Sequence, residues 1–171
     1  CRGELSGGTV VSFSGRGMTA EGLQCRFGDT FVSASMTRWV SASLVLCVSP
    51  TSASAQVVAA ELSFNDGGDF TMEGNRFVYE QGATVEGVVP SQALGGLGGQ
   101  VVTVLGRHFG KTEELSCRFG LDHTLRGVYG TSTMIVCGVP SRAAGSVRLT
   151  VANNGADHSE TGALFLYRSQ T

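Results

Sequence analysis

The cysteines are the residues of this chain with the clearest chemical potential. Four of the five fall into two pairs of similar spacing, Cys25 with Cys47 and Cys117 with Cys137. The first member of each pair opens the same tetrapeptide, Cys-Arg-Phe-Gly. Four cysteines can form two disulfides in three ways. Two of these ways would link one pair to the other, and so join segments that a sequence repeat assigns to separate cores. The spacing therefore predicts two disulfides, Cys25–Cys47 and Cys117–Cys137, each closing a loop of about 20 residues.

Two other roles remain open for these cysteines. Four buried free thiols would suit a cytosolic protein. The equivalent placement of both pairs favours disulfides instead, and with them an oxidising, extracellular setting. Zinc binding fits less well because no two cysteines are two to four residues apart. The fifth cysteine, Cys1, has no equivalent and is either unpaired or available to another chain.

Histidine and carboxylate side chains raise the questions of acid–base catalysis and calcium binding. His108, His123 and Asp122 lie in the second half of the chain, but no recognisable motif places a nucleophile with them. Asp66 and Asp69 could offer oxygen ligands to calcium, yet a tight turn explains the same Asn-Asp-Gly-Gly-Asp segment. We therefore expect a protein that is not an enzyme, with no catalytic residues, metal site or cofactor.

A Ser/Thr/Ala stretch after Pro50 is a candidate for covalent modification. It contains Thr51, Ser52 and Ser54, whose hydroxyl groups could carry O-linked sugars. An ordinary polar loop explains the same composition. No Asn-x-Ser/Thr sequence occurs, so N-linked glycans are excluded from these 171 residues.

The sequence segments that contain the paired cysteines belong to a repeat that occurs twice in the chain. Three landmarks recur in the same order: Gly-Gly-x-Val-Val at 7–11 and 98–102, Cys-Arg-Phe-Gly at 25–28 and 117–120, and Phe-x-Tyr at 77–79 and 165–167. The offset stays close to about 90 residues, which is the pattern of a tandem array with small insertions in loops. The sequence therefore predicts two domains, residues 1–82 and 83–171.

Each copy is predicted to consist of short β-strands. Residues 23–27 and 115–119 alternate strictly, which places Leu, Cys and Phe on one face of a strand. The strands that carry the second cysteines are followed by Pro50 and Pro140, which cannot donate to a ladder. Five or six such strands and a Gly/Asn/Asp turn per copy predict an all-β chain of two immunoglobulin-like sandwiches. A small barrel fits less well because the paired cysteines favour two facing sheets.

Composition and charge exclude several classes of partner. Twelve Lys and Arg against fourteen Asp and Glu give a net charge of −2 with no basic cluster in the sequence. Nucleic-acid binding is therefore not expected, because it depends on neutralising phosphates with basic side chains. No stretch approaches the roughly 18 apolar residues of a membrane-spanning helix, so no membrane insertion of this segment is expected. Abundant Gly indicates many turns and few or no helices.

The order of these landmarks resembles the IPT/TIG domain, the immunoglobulin-like unit of plexins. The matching features are the Gly-Gly-x-Val-Val strand, Cys-Arg-Phe-Gly, a second cysteine near a proline, the Asn/Asp-Gly turn and Phe-x-Tyr. The resemblance covers nearly the whole chain and implies an extracellular spacer, adhesion or assembly module with one disulfide per domain and no catalysis. The Gly/Ala/Val-rich composition, together with the Cys-Arg-Phe-Gly motif, is also similar to that of long repeat arrays in large surface proteins of microalgae and other protists, including those suspected in mastigonemes.

The first copy is expected to lack the leading strand of the second. Alignment of Cys1 with Gln92 leaves no counterpart of residues 84–91 in the first copy. The candidate assembly or linker residues in this stretch are Gly87, Val88, Val89 and Pro90. A sandwich without its first strand exposes an open edge. A strand from the preceding unit would complete it, and repeated heterologous contacts of this kind would build a fibre. The alternative is that an arbitrary boundary cut this segment out of a longer array.

Two functions are compatible with this reading. The first is a non-enzymatic extracellular structural module of a surface protein or filament, with other copies of itself or neighbouring repeats as partners. The alternative is a ligand-binding or adhesion module, in which the segments Phe31–Trp39 and Leu121–Tyr129 contact a protein or polysaccharide. These two segments differ most between the copies, as recognition loops often do.

Overall fold

The computed structural model describes residues 1–170, which divide into two compact units. Unit 1 begins at Cys1 and ends at Gln81, and unit 2 begins at Gly82. In the described part of the chain the only helical segment is one short 3-10 helix, Ala34–Met36. All other regular structure is β-strand.

Unit 1 contains eight strands in two sheets. The strands are β1 (Arg2–Glu4), β2 (Val10–Ser14), β3 (Gln24–Phe27), β4 (Thr30–Phe31), β5 (Thr37–Ser41), β6 (Leu44–Val48), β7 (Gln56–Ser63) and β8 (Arg76–Glu80). The larger sheet has the order β1-β8-β7-β3-β4, and the smaller sheet has the order β2-β6-β5. β1 is parallel to β8, and the other pairs are antiparallel. Within residues 1–170, β2 pairs only with β6 and forms the edge of its sheet.

Unit 2 repeats this arrangement, also with eight strands: it gains a leading strand, and one long strand takes the place of β4 and β5. Its strands are β9 (Thr84–Val89), β10 (Gln92–Leu94), β11 (Val101–Arg107), β12 (Ser116–Phe119), β13 (His123–Thr131), β14 (Met134–Gly138), β15 (Gly145–Ala152) and β16 (Ala163–Arg168). The ladder runs β10-β16-β15-β12-β13-β14-β11-β9. The first half of β13 pairs with β12 and the second half with β14, so β13 belongs to both sheets. β9 pairs antiparallel with β11 and has no equivalent in unit 1.

Each unit encloses its own core around three edge-to-face aromatic rings. In unit 1, Phe77 lies between Phe27 and Tyr79, with ring centroids 5.1 and 4.9 Å apart. The corresponding rings of unit 2 are Phe119, Phe165 and Tyr167, at 5.4 and 5.1 Å. These rings come from alternate positions of strands whose other side chains point outward, as period-2 patterning requires.

A buried disulfide joins the two sheets of each unit. Cys25 of β3 is bonded to Cys47 of β6, and Cys117 of β12 is bonded to Cys137 of β14. All four cysteines are fully buried. The predicted fold class, two immunoglobulin-like sandwiches with one disulfide each, is confirmed.

The two segments predicted to be recognition loops contain β-strands in the structure. Phe31–Trp39 contains the end of β4, the 3-10 helix and the start of β5, while Leu121–Tyr129 is mostly β13. Their extended backbones pair with the neighbouring strands, although their sequences lack a clean apolar–polar alternation. The register also gives Trp39 an aromatic equivalent, because Trp39 faces Val45 as Tyr129 faces Ile135.

The register of the parallel strands corrects the alignment of the first residue. The Val78 amide donates to the Cys1 carbonyl, as the Leu166 amide donates to the Ser91 carbonyl, both at 3.0 Å. Cys1 is therefore equivalent to Ser91 and not to Gln92. The extra residue of unit 2 lies in the glycine-rich turn between β10 and β11.

Candidate functional site

The leading strand of unit 2, β9, is held at the edge of the smaller sheet by main-chain pairing and apolar packing. It runs antiparallel to β11, with Val88 opposite Val104. Val85 and Val88 are 5% and 7% exposed and belong to the core. β9 also contacts β15 and β16 of the opposite sheet. The strand therefore closes one side of the sandwich.

Two polar contacts fix the position of β9. The Val85 amide donates to Thr161 Oγ1 at 2.8 Å. Arg107 Nε of β11 donates to Glu86 Oε1 of β9 at 2.6 Å, in an exposed ion pair. An exposed ion pair adds little stability, but it favours one register over others.

The close approach of β9 to β11 depends on a glycine. The register shifts between Leu105 and Gly106, where Gly106 faces Val85. A Cβ atom on Gly106 would collide with the carbonyl oxygen of Thr84. No other residue type fits here without moving β9 away from β11.

Unit 1 keeps two of the features that hold this strand, the glycine and the arginine at the end of β11. Gly15 and Arg16 follow β2 in the same way that Gly106 and Arg107 end β11, because β2 and β11 make equivalent pairs with β6 and β14. Arg16 has no ion-pair partner within residues 1–170. We call this unpaired side of β2, with Gly15 and Arg16, the open edge.

A cavity of about 490 Å³ runs along the open edge. It is lined by residues that include Cys1, Val11, Phe13, Glu73, Gly74 and Arg76. The register places Glu73 at the position of Thr161, the residue that binds β9 in unit 2. The cavity therefore lies where β9 runs in unit 2.

The first residues of unit 1 do not fill this cavity. Arg2–Glu4 form β1, which pairs with β8 in the larger sheet. The Leu5 amide donates to the Glu80 carbonyl at 3.1 Å, so the chain continues along the larger sheet. The thiol of Cys1 is exposed and unpaired in the described structure.

The structure places the four candidate assembly or linker residues inside unit 2. Gly87, Val88 and Val89 belong to β9, and Pro90 follows through a cis Val89–Pro90 bond. Most of the predicted linker is therefore strand. These residues therefore show how a leading strand is bound in unit 2.

The histidines and aspartates considered for chemistry are not brought into one site. His108 lies in a turn after β11, where its carbonyl accepts from Asn153 Nδ2 at 2.8 Å. His123 begins β13, and Asp122 beside it pairs with Arg142 at 3.3 Å. In the part of the chain that the structure describes, no three His, Cys, Asp or Glu side chains are arranged to share a metal ion.

Asp66 and Asp69 lie in a turn that their own hydrogen bonds explain. Asp66 has a φ of 58°, in the left-handed region that Asp and Asn tolerate. Asn65 Nδ2 donates to Asp69 Oδ2 at 3.0 Å, and the Asp69 amide donates to Asn65 Oδ1 at 2.8 Å. The carboxylate of Asp69 is thus used within the turn.

The candidate O-glycosylation residues differ in accessibility. Thr51 and Ser54 are exposed, whereas Ser52 is partly buried. Ser52 Oγ donates to the Ser54 carbonyl at 2.9 Å and accepts from Gln56 Nε2 at 3.0 Å. Thr51 and Ser54 are therefore the more accessible of the three hydroxyl positions.

Two equivalent tyrosines differ in their hydrogen bonds, and sequence reasoning missed this difference. Burial raises the pKa of both Tyr79 and Tyr167. Tyr79 donates its hydroxyl to the Pro50 carbonyl at 2.9 Å. The hydroxyl of Tyr167 is buried without a partner within residues 1–170.

We expect Tyr79→Phe to destabilise unit 1 by about 1 kcal/mol, because it removes a hydrogen bond and leaves the Pro50 carbonyl without this donor. Tyr167→Phe removes a buried hydroxyl that makes no such bond, so it should leave unit 2 unchanged or slightly more stable. Denaturant unfolding followed by Trp39 fluorescence measures unit 1, since Trp39 is the only tryptophan. Hydrogen exchange of β16 measures unit 2. Equal losses in both variants would contradict the assignment.

Comparison with known proteins identifies a family and a fold. The family model described as IPT/TIG domain matches residues 2–79 and 83–167. No curated protein matches the chain. In the described residues there is no helix that could span a membrane.

Among solved structures, the chain is similar to the extracellular region of plexin A4. One structure, with domains 1 to 10, matches with a TM-score of 0.62 and 18% identity over 99% of this chain and 15% of the plexin chain. A second, with domains 1 to 8, matches with a TM-score of 0.51 and 15% identity over 98% of this chain and 17% of the other. A surface glycan-binding protein from Prevotella bryantii matches at 0.42 and 17% identity, over 97% and 37% of the two chains. The chain thus spans about one sixth of the plexin chains, and the likeness to the two plexin structures establishes the fold.

Proposed function

The chain belongs to the IPT/TIG domain family, with one domain in each unit, and from this premise we propose that it is a non-enzymatic, extracellular structural module. Its first domain is completed along β2 by a strand equivalent to β9, whichever residues of the array supply it. Two disulfides support the extracellular setting, because such bonds persist in oxidising compartments. The proposal makes other copies or neighbouring repeats the partners of this chain.

The open edge is the observation that carries this proposal. β2 presents a row of unpaired main-chain groups beside a cavity of about 490 Å³. An exposed edge of this kind pairs readily with another strand. Addition of a strand to such an edge gains affinity from main-chain hydrogen bonds and specificity from pockets for alternate side chains.

The leading strand of unit 2, β9, indicates which side chains the incoming strand carries. β9 buries Val85 and Val88 and directs Glu86 to Arg107. An equivalent strand on β2 would bury two small apolar side chains in the cavity. It would also carry an acidic side chain that reaches Arg16.

Retention of Gly15 supports the same conclusion. In unit 2 the equivalent Gly106 is required because the Thr84 carbonyl approaches it closely. In unit 1 the only atom that a Cβ on Gly15 would meet at close range is the flexible end of Met18, at 2.6 Å. The glycine is therefore explained by a strand that approaches β2 as β9 approaches β11.

A peptide with the sequence of residues 82–90 tests the strand directly. We expect it to bind the chain saturably and to shift the amide NMR signals of Val10–Ser14. The matched variant Gly15→Ala should abolish these shifts, because its Cβ blocks the incoming carbonyl. A peptide with lysine in place of Glu86 should bind about three- to tenfold more weakly, since it repels Arg16.

Three observations would overturn the strand model. One is the absence of shifts in β2 at saturating peptide. Another is a response confined to unit 2, which would mean that the peptide only replaces β9. The third is negative-stain microscopy of native material that shows single particles without filaments or extended arrays.

A ligand-binding or adhesion module is the second candidate function. Phe31 is 58% exposed and its ring lies 5.7 Å from that of Phe70, which in turn lies 3.9 Å from the Arg26 guanidinium. A partly exposed aromatic pair of this kind is a common contact surface. A glycan array without hits, together with filaments in the native material, would exclude this alternative.

A further inference from the structure

The larger sheets of the two units differ sharply in the charge of their outer faces. In unit 2 this face is formed by the outward side chains of β10, β16, β15, β12 and the first half of β13. It carries four arginines and no acidic residue on its strands: Arg118, Arg126, Arg148 and Arg168. We call this surface the arginine face. No basic cluster is visible in the linear sequence because these residues are far apart along the chain.

The equivalent face of unit 1 is balanced in charge. Its outward positions carry three basic and three acidic residues: Arg2, Arg26, Arg76, Glu4, Glu61 and Glu80. Arg2 pairs with Glu80 at 3.1 Å, and Arg26 pairs with Glu61. The charge on the arginine face is therefore a property of unit 2 and not of the fold.

The register brings three of the arginines into a diagonal row. Arg118 faces Thr124 on one side and Thr150 on the other. Arg126 lies two residues after Thr124, and Arg148 lies two residues before Thr150, so each is a diagonal neighbour of Arg118. Such neighbours are separated by about 7–8 Å, well within reach of long side chains. A linear polyanion laid along this diagonal would meet three guanidinium groups in succession.

Arg118 has lost the carboxylate that its counterpart keeps. Arg26 in unit 1 faces Glu61 in register, whereas Arg118 faces Thr150. Among residues 1–170, neither Arg118 nor Arg126 has a hydrogen bond or an ion pair to a side chain. Arg148 donates to a carbonyl oxygen, that of Glu160. The positive charges of this face are thus not neutralised by partners on the sheet.

Buried polar atoms without partners collect at the same place. Within the described chain, four of the seven such atoms belong to residues on or against the arginine face: Ser116 Oγ, Arg118 Nε, Thr150 Oγ1 and His158 Nδ1. Ser116 and Thr150 are only 6% and 4% exposed. Buried polar groups usually have a hydrogen-bond partner, and a cluster of exceptions needs an explanation. Ligand oxygens on this face would supply acceptors to the arginines.

The loop that borders the arginine face adds few opposing charges. His158 lies close enough to Arg118 to feel its charge, and burial together with Arg118 lowers the pKa of His158, against the opposing effect of Asp157. The histidine is therefore mainly neutral near pH 7 and available as a hydrogen-bond donor or acceptor. Glu160 is exposed at the edge of the loop.

We propose that the arginine face binds an acidic polysaccharide through its sulfate or carboxylate groups. Guanidinium groups bind such oxyanions in a bidentate manner, and three of them lie along one diagonal of the sheet. The face has no aromatic side chain for stacking nucleic-acid bases, which favours a polysaccharide over single-stranded nucleic acid. This site is independent of the open edge in unit 1.

Binding of the whole chain to immobilised heparin and polygalacturonate tests the proposal, with dextran as the neutral comparison. We expect binding to at least one acidic polymer that weakens steeply as salt increases, and none to dextran. Thr150→Glu gives Arg118 the carboxylate that Arg26 has, and it should weaken binding by about tenfold or more. Arg126→Ser changes an exposed residue with little risk to folding, and it should weaken binding about three- to tenfold.

Glu61→Thr is the matched control, because it makes the reverse change in unit 1 and should leave binding of the acidic polymers intact. The absence of binding to both acidic polymers would overturn the proposal. So would unchanged binding in folded Thr150→Glu and Arg126→Ser variants, or an equal loss in Glu61→Thr. Tighter binding of a single-stranded oligonucleotide than of either polysaccharide would overturn the choice of ligand.

Discussion

Replacement of both cysteines of a disulfide by alanine is expected to destabilise the unit concerned by about 3 kcal/mol or more. The bonds close segments with sequence separations of 22 in unit 1 and 20 in unit 2. Their loss lets the unfolded chain gain entropy, and the buried sulfur atoms leave small cavities. Because a small domain is stable by only about 5–15 kcal/mol, a loss of this size is a large fraction of the total.

We expect the Cys25→Ala/Cys47→Ala variant to unfold more readily than the equivalent variant of unit 2. The smaller sheet of unit 1 has three strands and an unpaired edge, whereas the equivalent sheet of unit 2 gains β9. Trp39 fluorescence in denaturant reports unit 1, and hydrogen exchange of β12 and β14 reports unit 2. Cys1→Ser is the control, since this exposed thiol is unpaired in the described structure. An unfolding midpoint that does not move in either double variant would contradict the expectation.

Gly106→Ala is expected to destabilise unit 2 by about 2–3 kcal/mol, as overpacking against a rigid backbone usually does. Its Cβ would collide with the Thr84 carbonyl oxygen and lie 2.7 Å from Phe109 Cζ, so β9 has to move. The amide hydrogens of β9 should then exchange faster than those of the remaining strands.

Gly15→Ala is the matched variant in unit 1. Its Cβ meets only the flexible end of Met18 at close range, which can turn aside. We therefore expect a change of less than about 0.5 kcal/mol in this chain. Equal destabilisation by the two variants would mean that Gly106 is needed for a reason other than the approach of β9.

The repeat, the strands around the first cysteine of each pair and the disulfides were predictable from the sequence. Leu23–Phe27 and Leu115–Phe119 show clear alternation because one side of the strand is buried and the other is solvated. β5 and β13 were missed because they are exposed on much of both faces, as in Thr37–Ser41. Their pairing depends on neighbours that are distant in sequence.

The open edge was partly predictable, whereas the arginine face was not. Comparison of the copies showed that a leading strand had no counterpart, and the repeated Gly15-Arg16 pair was visible as a signal for its binding. Arg118, Arg126 and Arg148 are separated by 8 and 22 residues, and only the strand register makes them neighbours. A charge surface assembled across strands cannot be seen in a linear search for basic clusters.

The unpaired edge of β2 also limits how identical copies associate in the absence of a donor strand. Two β2 edges are identical surfaces, and antiparallel pairing between them would form a dimer related by a twofold axis. Such a dimer is closed by its own symmetry and cannot grow, unlike a head-to-tail chain. The proposed array therefore requires that the donor strand outcompete self-pairing, and the order of association would then matter as well as its strength.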